Sequence, residues 1–147
     1  MPKGQHLLID CHTVSRDVCL DDKRFLSVMA RAAERAGANV INQVRYRFGA
    51  DSPPGFTAFL LLDESHCSVH TYAEEGLVAL DIFTCGGTDP LVLFRFINDE
   101  IDLGTVEIRS CDRFMAATSE IPALSLEHRI GEKSHVDPGI GEAGFGS

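Results

Sequence analysis

A two-layer α/β sandwich, mainly antiparallel sheet with two helices on one face, is the fold class that the sequence predicts. Three observations predict it. Short apolar segments of strand length are joined by tight turn residues, which implies antiparallel pairing. Two longer segments repeat their apolar residues at helical spacing, enough to cover one side of a sheet. The chain has 147 residues, 44% of them hydrophobic, which suits one domain with its own core.

The elements follow in order. His6 to Cys11 is an apolar strand. Asp21 and Asp22 open a helix, since acidic side chains favour a helix N-terminus. Phe25, Leu26, Met29, Ala30 and Ala33 form its apolar stripe, and Gly37 is the expected stop. Ala38 to Phe48 alternates in part and reads as a strand, and Asp51-Ser52-Pro53-Pro54-Gly55 is a loop. Phe56 to Leu62, Cys67 to Tyr72 and Leu77 to Thr84 read as strands, the last two joined at Glu74-Glu75-Gly76. Asp89 is the expected N-cap, and Pro90 the first residue, of a second helix whose buried face is Leu91, Leu93, Phe94, Ile97 and Ile101. Thr105 to Cys111 closes as a strand. The apolar pattern thins beyond Asp112. The expected organisation is therefore a domain over 1–112 and an extension over 113–147, mobile from about Gly131.

Composition excludes several classes of function. The net charge of −9 disfavours nucleic acid, whose phosphates need a basic footprint, and suits a cationic small molecule. The longest apolar run, Ala58 to Leu62, is far too short to span a bilayer. The N-terminal residues show no secretory pattern, so a cytoplasmic protein is expected. Five cysteines without a CxxC pair argue against a disulfide framework.

One stretch concentrates reactive side chains: Leu62-Asp63-Glu64-Ser65-His66-Cys67-Ser68-Val69-His70-Thr71-Tyr72, then Asp81-Ile82-Phe83-Thr84-Cys85-Gly86-Gly87. A strand needed only for packing would carry branched apolar residues. The plainest interpretation leaves His66 and His70 on a sheet surface and the cysteines in the core. A zinc site from His66, Cys67, His70 and Cys85 has suitable ligand types but not the usual paired spacing. Alternation also sends Cys67 to the face opposite the histidines. A cysteine hydrolase would use Cys85 as nucleophile, a histidine as base and the Gly86-Gly87 amides as an oxyanion site.

Glu64-Ser65-His66, His70-Thr71 and Asp81-Ile82-Phe83-Thr84-Cys85-Gly86 resemble, in order and spacing, the signature of the small prokaryotic S-adenosylmethionine decarboxylases. His6-Leu7-Leu8 and Asp89-Pro90 also fit. The resemblance covers about residues 4 to 112. It implies a proenzyme that cuts itself between Glu64 and Ser65 and leaves a covalent pyruvoyl group, derived from Ser65, as the electron sink for decarboxylation. It further implies that His70 is the base for processing, that Thr57 assists it and that Cys85 is the proton donor to the substrate. Glu74 matches the residue that binds the ribose hydroxyls, and Phe48 and Tyr72 are candidates to stack on adenine. A homodimer of cleaved protomers, with pocket residues from both, is implied as well, and no metal.

The chain departs from the family beside the expected pocket. Tyr72-Ala73 replaces Trp-Pro, Glu75 replaces Tyr, and the Gly49–Pro54 loop is longer. Alternatives are therefore a pyruvoyl-dependent L-ornithine or L-arginine decarboxylase and an inactive partner subunit. One consequence is geometric. Ser65 and His70, five positions apart on a strand, point to opposite faces, so their cooperation within one chain needs an irregular backbone near Glu64-Ser65.

Overall fold

The computed structural model describes residues 2–114. Six strands and three helices follow one another: β1 (Gly4–His12), α1 (Arg16–Leu20), α2 (Asp22–Arg35), β2 (Val40–Phe48), β3 (Gly55–Leu62), β4 (Ser65–Tyr72), β5 (Leu77–Cys85), α3 (Pro90–Glu100) and β6 (Thr105–Arg113). The strands form one antiparallel sheet in the order β2-β3-β4-β5-β1-β6. The expected sandwich is therefore the observed one, with one helix more than anticipated. That helix, α1, is only five residues long, too short to display a helical period. Beyond Phe114, the extension expected over 113–147, with its tail from about 131, lies outside the described residues.

Local chemistry sets the helix ends. The Asp21 carboxylate accepts from the Arg24 amide at 3.1 Å and caps α2, and Gly37, at φ 90°, follows its end. Asp89 caps α3 by accepting from the Leu91 amide at 2.8 Å, with Pro90 leading the helix. Phe25, Val28, Met29, Ala32 and Ala33 of α2, with Leu93, Phe94 and Ile97 of α3, are buried. They meet alternate residues of the sheet: Leu7, Ile9 and Cys11 of β1, Phe56, Ala58 and Leu60 of β3, Cys67 and Val69 of β4, and Val78, Leu80 and Ile82 of β5. Burying each large apolar side chain contributes about 1.5 to 3 kcal/mol before entropy is counted.

Two polar contacts anchor the layers. The buried Thr71 hydroxyl donates to the Cys19 carbonyl at 2.7 Å and accepts from the Phe56 amide at 2.9 Å, tying α1 to β3 and β4. The buried Asp22 carboxylate holds Arg45 at 3.0 Å and Arg47 at 3.2 Å, pinning edge strand β2 to α2.

The opposite face of the sheet has no helix among the described residues. Leu8, Val44, Tyr46, Leu61 and Tyr72 are all exposed large side chains. The histidines of the sequence cluster lie on this open face.

Candidate active site

β3 and β4 form a hairpin in which Leu62 faces Ser65, leaving Asp63 and Glu64 as the connection. Glu64 has φ 54°, a left-handed conformation that costs a side-chain-bearing residue about 1 to 2 kcal/mol. Glycine, Asn or Asp usually occupies such turn positions. The irregular backbone expected beside Ser65 is therefore present, but it ends before the strand begins. From Ser65 to Tyr72 the chain is a regular strand, so the turn does not bring His70 to Ser65.

At the hairpin end, the Ser65 hydroxyl accepts a hydrogen bond from the Cys85 backbone amide at 3.1 Å. Both residues are half-buried. Cys85 ends β5, and Gly86, at φ 66°, turns the chain away. The buried Thr84 hydroxyl fixes that turn by donating to the Thr88 carbonyl at 2.8 Å.

Thr57 and His70 face one another across β3 and β4. The Thr57 hydroxyl and His70 Nδ1 share a hydrogen bond of 2.8 Å. Phe48 stands opposite Gly55 at the same end of the sheet, and Tyr72 follows two residues beyond His70. Only glycine fits between them: a Cβ on Gly55 would come within 2.2 Å of the Thr71 carbonyl oxygen and 2.7 Å of the Phe48 ring. Glu74 is exposed in the turn that follows. The candidate residues thus fall into two groups, Glu64, Ser65 and Cys85 against Thr57, His70, Phe48, Tyr72 and Glu74. Five strand residues, about 16 Å, separate Ser65 from His70.

Between the groups lies an aromatic cluster. His66 stacks on Phe59 with centroids 5.8 Å apart and rings 15° from parallel, and sits 5.6 Å from Phe83 and 6.0 Å from His6. His6 Nε2 lies 3.4 Å from an Asp81 carboxylate oxygen. Burial first, then the neighbouring His6, lowers the His66 pKa below its ordinary value, against the pull of Asp81.

The cysteines separate by environment. Burial raises the thiol pKa of Cys67 and Cys19, and burial with the Asp10 charge pushes Cys11 up to about 12. These three are packing residues held as thiols. Cys67 lies in the core under the helices, away from His66 and His70, so strand alternation keeps the four residues of the zinc alternative from one shared site. Sequence reasoning missed the contribution of Arg113. Its guanidinium carbon lies 5.4 Å over the Phe83 ring, and only the strand order, with β6 beside β1, brings it there.

Fold and site define an antiparallel sandwich with a serine at a strained hairpin turn and a cysteine beside it. Comparison with known proteins is specific. The family model described as S-adenosylmethionine decarboxylase matches residues 5–114. The S-adenosylmethionine decarboxylase proenzyme of Symbiobacterium thermophilum is 38% identical over 125 residues, covering 84% of this chain and 92% of the relative. That of Prochlorococcus marinus is 40% identical over 127 residues, covering 85% and 96%. The crystal structure of the adenosylmethionine decarboxylase from Aquifex aeolicus superposes with a TM-score of 0.66 at 26% identity, over 81% of this chain and 97% of that one. The chain belongs to the S-adenosylmethionine decarboxylase family.

Proposed function

We propose that this chain is the proenzyme of a self-cleaving, pyruvoyl-dependent decarboxylase that acts on S-adenosylmethionine in the cytoplasm for polyamine synthesis. Among the described residues no helix is long and apolar enough to cross a membrane. The observation that carries the proposal is the pair of hydrogen-bonded groups at the two ends of β4, Ser65–Cys85 and Thr57–His70.

The residues present fit the formation of a pyruvoyl group. Ser65 follows a residue held in left-handed backbone, at an exposed turn where the chain can be cut with no core element disturbed. The Ser65 hydroxyl attacks the Glu64 carbonyl, exchanging the amide for an ester. A base then takes the Ser65 α-proton, and the Cβ–O bond breaks to release Glu64 as a new C-terminus; the dehydroalanine left at residue 65 takes up water and loses ammonia to become the pyruvoyl group. His70, its ring oriented by Thr57, is that base. A neutral imidazole suits proton removal near neutral pH.

Because His70 is about 16 Å along the strand from Ser65 of its own chain, the base comes from a second copy. A twofold axis across the strands lays the Ser65–Cys85 end of each open face against the Thr57–His70 end of the other. Such an isologous pair completes two sites at once and covers Leu8, Val44, Tyr46 and Leu61, which are exposed in the single chain.

The pyruvoyl group, when formed, supplies the electron sink for decarboxylation. The protein supplies the rest. The Cys85 thiol gives a proton to the carbon that CO₂ leaves. The Glu74 carboxylate accepts from the ribose hydroxyls, and Phe48 and Tyr72 provide flat apolar surfaces for the adenine.

Two measurements test this. Denaturing mass spectrometry is expected to show fragments 1–64 and 65–147, the second without a free amine. CO₂ release is expected from labelled S-adenosylmethionine and not from ornithine or arginine. Recovery of only intact chain refutes the processing. Turnover of ornithine or arginine in place of S-adenosylmethionine refutes the substrate.

A further inference from the structure

The ladder places three residues side by side at the hairpin end of the sheet: Cys85 faces Gly4 on β1, and Gly4 faces Arg113 on β6. Gly4 carries no side chain, so the middle of this row is open above the backbone. A Cβ there would come within 2.9 Å of the Phe83 ring, so the glycine is what lets that ring lie between the two outer residues. The exposed Arg113 guanidinium has its carbon 5.4 Å from the Phe83 ring centroid and 5.7 Å from that of Phe114. The strand end that carries it is held by the Lys3 amide, which donates to the Arg113 carbonyl at 3.1 Å.

Arg31, Arg45, Arg47 and Arg109 each pair with an acidic side chain. Arg113, like Arg16, Arg24, Arg35 and Arg95, has no carboxylate within ion-pair distance among the described residues, and of these five it is the one in line with Gly4 and Cys85. In a chain of net charge −9, an unpaired guanidinium over the Phe83 ring, in the same cross-strand row as Cys85, is placed to meet an anion that the described residues do not provide. The nearby Asp81 carboxylate faces His6 Nε2 at 3.4 Å, without a hydrogen bond between them.

An amino-acid decarboxylase needs such a group. Its substrate carries one anion, the α-carboxylate, which must lie close to residue 65 and to the thiol that reprotonates the same carbon. We propose that Arg113 grips the α-carboxylate of the substrate. The inference rests on the reaction centre lying at Ser65 and Cys85. A planar guanidinium matches a carboxylate with two parallel hydrogen bonds. The product is an amine without that anion, so Arg113 holds substrate and releases product. The interaction is made with the ground state and weakens as CO₂ leaves, so its loss raises KM without lowering kcat.

The test compares cleaved parent enzyme with Arg113→Met and Arg113→Lys. Three quantities are measured: the extent of self-cleavage, KM and kcat for S-adenosylmethionine, and the affinity of decarboxylated S-adenosylmethionine by calorimetry. The methionine variant is expected to cleave. Its KM is expected to rise roughly ten- to a hundredfold, the loss of a charged hydrogen-bond pair, while kcat does not fall and product affinity stays within about threefold. Lysine, which keeps the charge without the fork, is expected to recover part of the loss; it also carries the comparison should the methionine variant fail to fold. Equal weakening of substrate and product, or an unchanged KM in an active enzyme, overturns this inference alone. A parent that neither cleaves nor turns over S-adenosylmethionine overturns both this inference and the proposed function.

Discussion

Two inactive variants mixed together are expected to regain activity, and the arithmetic of the recovery follows from the sheet. Ser65→Ala removes the proposed attacking hydroxyl but leaves the Thr57–His70 pair intact. His70→Ala removes the proposed base but leaves Ser65 and its bond from the Cys85 amide. Within one regular strand the two residues are about 16 Å apart and on opposite faces. No side-chain rotation closes that gap, so neither variant can cleave alone. In a mixed dimer the His70→Ala chain offers its Ser65 to the His70 of the Ser65→Ala chain. The other site of that dimer lacks both residues. Random reassortment of equal amounts places about half of the His70→Ala chains in mixed dimers, so about half of those chains are cleaved. The Ser65→Ala chains remain whole. With the two variants tagged to differ in mass, the fragments are counted by denaturing mass spectrometry after joint refolding. Absence of cleavage in the mixture, or full cleavage of His70→Ala alone, refutes the composite site.

The remaining expectations are more local. Cys85→Ala is expected to self-cleave, because its thiol acts on the substrate, while kcat falls by roughly 10² to 10⁴, the contribution of a positioned acid; unchanged turnover would remove Cys85 from the mechanism. Thr57→Val deletes the 2.8 Å bond to His70 and is expected to slow cleavage by roughly 2- to 10-fold, measured as the decay of intact chain. Burial and the neighbouring His6 hold the folded-state pKa of His66 below that of a free imidazole, so the unfolded chain binds its proton more readily. Stability from this residue is therefore present above the free-imidazole value and declines as the pH falls through it. Thermal melts between about pH 8 and pH 5 are expected to show a steeper acid loss in the parent than in His66→Gln, and parallel curves would contradict the sign.

Much of this architecture was legible because it is written locally. Asp21, Gly37 and Asp89-Pro90 are end signals that act on their own neighbours; α2 begins and stops, and α3 begins, where they stand, whereas α3 ends one residue before Ile101, which the apolar spacing places in it. The strands were visible as short apolar segments for the same reason. What was not legible depends on pairing across the chain. No local pattern places β1 between β5 and β6, yet that order alone sets Arg113 in line with Gly4 and Cys85. Phe48 and Tyr72 could be named as aromatic candidates, but the glycine gap between them appears only once β2, β3 and β4 are in register. The parity of Ser65 and His70 was readable from strand alternation. The bend expected to reconcile them exists at Glu64 but lies on the wrong side of Ser65 to do so.

That bend raises a question of cause that one substitution answers. Glu64 occupies left-handed backbone at φ 54°, where glycine would sit without penalty. The cost, about 1 to 2 kcal/mol, is carried by the intact turn and is relieved once the chain is cut, because Glu64 then becomes a free terminus. Strain of this kind destabilises the uncut chain relative to the cut one. If part of it is released on the way to the ester, Glu64→Gly stabilises the starting turn more than the transition state. The intact Glu64→Gly chain, compared in a Ser65→Ala background that cannot be cut, is expected to melt higher than its Glu64 counterpart. Cleavage of Glu64→Gly with Ser65 present is expected to slow by at most roughly 5- to 30-fold, the value reached if all of the 1 to 2 kcal/mol is released at the transition state. A higher melting temperature with an unchanged cleavage rate would mean that the strain is retained throughout the attack and that the left-handed turn only aims the hydroxyl. A variant neither more stable nor slower would show that the turn carries no strain, and the account of Glu64 as a driver of cleavage would fall.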